Sequence, residues 1–105
     1  MRNLNQEEIK KLEMQNCIAN DWSKIQVNEE FNIKYISNVR FHGNIRIGKL
    51  NGNIKYSEKI EKHSSIRNAD IFNCEIGNNV YISDVKLLSN YKIGDQAIIE
   101  NVGQL

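Results

Sequence analysis

Residues 76–85 read IGNNVYISDV, and residues 93–102 read IGDQAIIENV. The second stretch starts seventeen residues after the first and keeps its isoleucine–glycine opening. Widening the comparison gives nine apolar residues in three rows of six-residue steps: Ile60, Ile66 and Phe72; Ile76, Ile82 and Leu88; Ile93, Ile99 and Leu105. Read downwards, the columns are Ile60/Ile76/Ile93, Ile66/Ile82/Ile99 and Phe72/Leu88/Leu105, with sixteen or seventeen residues from row to row. Self-similarity at a fixed period is the mark of a repeat architecture.

A six-residue step is not a helix face, because six residues at about 100° each turn through about 600° and end on the other side of the cylinder. It suits a three-sided solenoid, in which each side is a short strand ending in a bend and successive coils stack like residues into ladders. Ser64, Val80 and Ala97 each lie four residues after a grid isoleucine, as a narrow corner requires. Gly77 and Gly94, one residue after the grid position, mark bends where a side chain would collide or φ is unusual. Proline is absent and asparagine abundant. Asparagine, which tolerates the left-handed region, must therefore supply many of the turns.

Around this grid the bulk properties narrow the possibilities. A chain of 105 residues is one domain with a small core. A net charge of +1 supplies no field to recruit nucleic acid or an anionic membrane, so neither is expected as a partner. No apolar run approaches a membrane span, and the amino terminus MRNLNQEEIKKL lacks a signal-peptide pattern, so a soluble cytoplasmic protein is expected. Cys17 and Cys74 stand 57 residues apart, outside any C-x-x-C pair or zinc spacing, and read as reduced, space-filling thiols. Phosphate loops, dinucleotide fingerprints and nucleophile elbows are also missing. No cofactor and no metal is expected.

Residues 1–37 form a helical and irregular segment, and residues 38–105 a β-hairpin followed by coils. Asn5 with Glu8 makes a capping box, and Leu4 before it can meet Ile9, which starts a helix over about Gln6 to Gln15. Ile9, Leu12 and Met14 are expected inward, with Asn16 as a left-handed stop. Asp21-Trp22-Ser23 suggests a turn or short helix and Ile25 with Val27 a strand, Trp22 being the main apolar anchor of this half. Val39 and Phe41, then Ile45 and Ile47, alternate with polar residues as strands do. Asn51-Gly52 is a two-residue hairpin signal, placing a hairpin over about residues 46 to 56.

Ile76-Gly77-Asn78-Asn79-Val80-Tyr81 and Ile93-Gly94-Asp95-Gln96-Ala97-Ile98 resemble the hexapeptide repeat of left-handed parallel β-helix proteins, in which an aliphatic and then a small residue begin each unit. That resemblance implies a mainly β fold, a short left-handed parallel β-helix of about three coils with an amino-terminal α-helix and a β-hairpin. Its handedness comes from the resemblance, not from the spacing. More broadly, Asp21-Trp22-Ser23, Asn38-Val39-Arg40-Phe41, Arg46-Ile47-Gly48, His63-Ser64-Ser65-Ile66, Asn73-Cys74-Glu75-Ile76-Gly77 and Ile99-Glu100-Asn101-Val102 resemble the start of a long bacterial family that carries a domain of unknown function. It implies an amino-terminal portion or a shortened relative, with Leu105 on a grid position and no cap after it. An exposed last coil would then invite self-association or further β-helix coils.

Hexapeptide-repeat proteins are often acyltransferases in which a histidine acts as general base, and this chain has only His42 and His63. His63, beside Ser64 and Ser65 and just before a grid strand, is the better catalytic candidate, with Glu61 or Glu75 to orient it. His42, next to Gly43, reads as a turn residue. Asn68, Asp84 and Asn101 each lie two residues after a second-column isoleucine and form a polar ladder at about 4.8 Å spacing. Turn-stabilising side-chain bonds are the main reading of that ladder, and a sugar- or metal-lining strip the other. Together these features favour a non-catalytic scaffold or interaction segment. The alternative is an acyltransferase-like enzyme, working as an oligomer with His63 as base.

Overall fold

The computed structural model describes residues 1–105 and is mainly β. In chain order the elements are β1 (Arg2–Asn3), α1 (Gln6–Met14), β2 (Ile18–Ala19), β3 (Ile25–Val27), β4 (Ile36–His42), β5 (Ile45–Ile47), β6 (Asn53–Ser57), β7 (Ile60–His63), β8 (Ser65–Phe72), β9 (Glu75–Ile76), β10 (Tyr81–Ser89), β11 (Lys92–Ile93) and β12 (Ile98–Gln104). Short 3-10 turns at Trp22–Lys24 and Ile33–Tyr35 lead into β3 and β4.

From β3 onward the chain alternates between two five-stranded sheets. One is ordered β1-β3-β5-β9-β11 and the other β2-β4-β8-β10-β12. Every pairing is parallel except that of β1 with β3 and of β6 with β7. Like residues fall in register: Ile36, Ile66, Ile82 and Ile99 in one column, and Val27, Ile47, Ile76 and Ile93 in another. A core of 21 buried residues, including all of these but Ile99, fills the space between the sheets.

Two departures from the sequence grid have clear physical causes. Ile60 is 49% exposed and sits in the β6–β7 hairpin, so Ile47 takes its place in the column above Ile76. Phe72 is also exposed, because Leu88 pairs with Ile71 rather than Phe72. One extra residue between Val85 and Leu88 shifts the register, and Ile71 turns inward beneath Phe41. The observed third column is therefore Phe41, Ile71 and Leu88, all buried.

The hairpin itself lies later than Asn51-Gly52 suggests. β6 and β7 pair across Glu58-Lys59, while Ile45–Ile47 is a parallel strand between β3 and β9. The Asn51 and Gly52 amides instead donate to Asn79 Oδ1 at 3.1 and 3.0 Å, so a contact with the next turn of chain overrides the local turn signal.

At the amino-terminal end the capping box forms, with Glu8 N donating to Asn5 Oδ1 at 2.8 Å and Asn5 N to Glu8 Oε1 at 3.0 Å. α1 ends before Asn16, which has φ +63°. Leu12 is buried, whereas Met14, expected inward, is 84% exposed. Two residues after Leu12 a side chain has rotated about 200° from the buried stripe. Trp22 lies against Phe41, with ring centroids 6.1 Å apart.

Candidate functional site

Corners are where this chain places its polar side chains. Nine non-glycine residues have positive φ, and seven of them are asparagines. Asn38, Asn68, Asp84 and Asn101 share one corner, with φ between 53° and 58°. Asn38 Nδ2 donates to Asn68 Oδ1 at 2.8 Å, and Asn68 Nδ2 to Asp84 Oδ1 at 2.9 Å. Ser83 Oγ donates to the other Asp84 oxygen at 2.9 Å. These bonds, Asn68 first and then Ser83, hold the Asp84 carboxyl below the usual carboxylate range. No three His, Cys, Asp or Glu side chains gather in a way that could hold a metal ion.

Other corners use side chains to satisfy the backbone of the preceding turn of chain. Asn73 Oδ1 accepts from Asn44 N at 2.8 Å, Asn78 Oδ1 from Lys49 N at 2.9 Å, and Asp95 Oδ1 from Asn78 N at 2.8 Å. Beside the last two lie Gly48, Gly77 and Gly94. A Cβ on Gly77 would approach the Gly94 carbonyl carbon to 2.8 Å, so close stacking demands glycine there.

His63 ends β7. Its Nδ1 lies 2.8 Å from the Ser64 carbonyl oxygen, which can only accept, so Nδ1 is the donor in this contact. The ring stacks on Tyr35 with centroids 3.5 Å apart. Neither Glu61 nor Glu75 hydrogen-bonds to it; Glu61 faces Lys55 in the hairpin and Glu75 lies on the other sheet beside Arg46 and Lys92. His42 ends β4 before Gly43, whose φ is +73°, and its ring lies 6.1 Å from that of Phe72. Surface depressions occur elsewhere, the largest of about 500 Å³ between Asp70, Lys86, Leu87, Gly103 and Gln104.

A further cluster has no sequence motif to announce it. The β6–β7 hairpin folds over β8 and β10 so that Lys62 Nζ lies 4.0 Å from the Tyr56 ring centre and 5.0 Å from that of Tyr81. Lys62 Nζ and Arg67 Nη2 both donate to the Tyr81 hydroxyl, at 3.4 and 2.7 Å, and Arg67 Nε donates to Ser83 Oγ at 3.2 Å. Burial alone would raise the Tyr81 phenol's pKa, but the bonds and charges of Lys62 and Arg67 outweigh it and leave the phenol below its ordinary value. Register pairs Tyr81 with Ser65 and Arg67 with Ser83, and the hairpin brings Lys62 from outside that register. Only the three-dimensional path of the hairpin reveals the grouping.

These features define a mainly β protein of two largely parallel sheets with side-chain-stabilised corners and an inserted hairpin. The chain belongs to the family described as "Domain of unknown function (DUF4954)", which it matches over residues 1–105. It is also 26% identical, over 104 residues, to a protein of Treponema pallidum (strain Nichols) described as "Uncharacterized protein". That match covers 99% of this chain and 14% of the Treponema protein. No solved structure matches the chain. No helix is long and apolar enough to cross a membrane.

Proposed function

We propose that this chain is a non-catalytic scaffold segment built as a left-handed parallel β-helix of the hexapeptide-repeat kind, and that its last coil receives either further coils or a second copy. The observation that carries the reading is the contrast within columns. Ile66 and Ile82 are fully buried, while Ile99 of the same column is only half-buried and Ile98 beside it is 40% exposed. The outer edge of β12 is unpaired, and an unpaired parallel edge templates another strand. A relative of which this chain spans 14% is consistent with more structure beyond such an edge.

Two measurements test the reading. A crystal structure fixes the hand, and a right-handed path from sheet to sheet would overturn it. Light scattering with and without acetyl-coenzyme A should show a mass indifferent to the thioester. The competing acyltransferase reading rests on His63, whose Nδ1 bonds the Ser64 carbonyl and whose Nε2 bonds no other group of the chain. Thioester-dependent trimer formation, with acyl transfer lost in His63→Ala, would establish that reading and remove the scaffold proposal.

A further inference from the structure

The Lys62–Arg67–Tyr81 cluster is rich in donors and short of acceptors. The Tyr81 hydroxyl accepts from both cations, but its own proton goes to no acceptor. The ion pairs of the molecule are Arg2 with Glu8 at 2.7 Å and Lys49 with Glu30 at 3.2 Å, so neither Lys62 nor Arg67 has a carboxylate partner. Each retains unused N–H groups after its bonds to Tyr81 and Ser83. Arg67 is exposed and Lys62 half-buried, so the two cations reach solvent, while Tyr81 is buried beneath them and Tyr56 stands edge-on to it at 5.9 Å as an aromatic wall.

Counting charge favours a monoanion. Lys62 and Arg67 carry two positive charges, and Asp84, reached through Ser83, and Glu100, in register beside Ser83, carry two negative. The row is already balanced, although neither cation has a carboxylate within ion-pair distance. A phosphate dianion would overcompensate it by two charges, whereas a carboxylate adds one and offers two oxygens for a guanidinium fork and an ammonium.

We propose that Lys62 and Arg67, held side by side by the Tyr81 hydroxyl that both of them bond, form a recognition site for a singly charged carboxylate group, presented either by a small organic acid or by an acidic side chain. This site is independent of the scaffold reading. Because Lys62 comes from the hairpin and the other two from the sheet, occupancy ties the hairpin to the sheet.

The test is a nuclear magnetic resonance titration of the intact chain at constant ionic strength with acetate, with N-acetyl-glutamate amide and with inorganic phosphate. Saturable shifts of the Lys62, Arg67 and Tyr81 side-chain signals by a carboxylate are expected, accompanied by slower hydrogen exchange in β6 and β7. Arg67→Gln and Lys62→Met should each weaken binding about tenfold or more, in line with the strength of charge-assisted bonds. Tyr81→Phe keeps the buried ring and should weaken binding several-fold. Equal affinity for the two carboxylates assigns the site to any accessible carboxylate; tighter binding of the capped glutamate assigns it to an acidic side chain. Shifts that stay linear, phosphate binding tighter than either carboxylate, or affinity unchanged in Arg67→Gln and Lys62→Met would each overturn the proposal.

Discussion

Adding one methyl group at Gly77 and at Gly94 probes the stacking directly. The two glycines occupy equivalent places in neighbouring turns of chain, and neither has a positive φ, so alanine suits both backbones. Their surroundings differ. A Cβ at Gly77 would lie 2.5 Å from Asp95 Oδ1 and 2.8 Å from both the Gly94 carbonyl carbon and Asp95 N, while one at Gly94 would have nothing within 4 Å. Relieving the two backbone contacts to an ordinary separation of about 3.5 Å requires the strands to part by about 0.7 Å, and the Asp95 carboxylate must move further still. The Gly77 N to Ile93 O bond of 2.9 Å and the Asn78 N to Asp95 Oδ1 bond of 2.8 Å span that gap and would stretch past useful length. Gly77→Ala should therefore cost about 1–3 kcal/mol, the range for overpacking and for one or two lost bonds. Gly94→Ala should be neutral or stabilise by about 0.4–1 kcal/mol, by restricting the unfolded chain. Urea titration followed by circular dichroism reads both, and the Gly77→Ala melting temperature should fall by roughly 4–20 °C. Equal stability of Gly77→Ala and wild type, or an equal loss in Gly94→Ala, would refute the stacking argument. In a longer chain with a further coil over Gly94, the second substitution should become as costly as the first.

Other substitutions test separate parts of the structure. Ile71→Ala should destabilise by about 2–5 kcal/mol in urea titrations while Phe72→Ala costs under about 1 kcal/mol, the reverse of what an unbroken six-residue grid requires. Asn73→Ala loses both a residue suited to φ +50° and the acceptor for Asn44 N, for a total of about 2–3 kcal/mol; Asn73→Gly should recover the backbone part alone. Glu8 is held below its ordinary pKa chiefly by the Arg2 hydrogen bond. Its stabilising effect is present above the unfolded pKa and is lost as pH falls through the lower folded one. Below about pH 4 the wild-type urea midpoint should thus fall more steeply than that of Glu8→Gln. Tyr56→Ala should speed hydrogen exchange of β6 and β7 amides and leave β8 and β10 protected, because a two-stranded hairpin depends on what it packs against.

Sequence was most informative where local chemistry and the repeat agree. The Asn5–Glu8 box and the Asn16 stop need only neighbours, and both form. Ile66, Ile82 and Ile99, or Ile76 and Ile93, align because no hairpin comes between them and the single extra residue between Val85 and Leu88 is absorbed before β11 begins. Counting fails where residues are added. The hairpin displaces Ile60 from its column, and the extra residue between Val85 and Leu88 exchanges Phe72 for Ile71. Neither change alters composition or pattern enough to be seen in one sequence. Asn51-Gly52 misled because its amides are captured by Asn79, 28 residues later. The Lys62–Arg67–Tyr81 group depends on how the hairpin folds back, which no spacing encodes.

The corner bonds also give the stack a direction. Lys49 N is satisfied by Asn78 Oδ1, and Asn78 N by Asp95 Oδ1, so at this corner each turn of chain leaves an N–H that the next turn's side chain accepts. Asp95 N occupies the same place in the last turn and lacks such an acceptor. At the opposite end, antiparallel β1 covers β3 and α1 places Leu12 in the core, so that end is closed by elements of different geometry. On the scaffold proposal, whatever pairs with β11 and β12, a further coil or a second copy, should bring an asparagine or aspartate to the Asp95 corner and accept from Asp95 N, as Asn78 and Asp95 do for the strands before them.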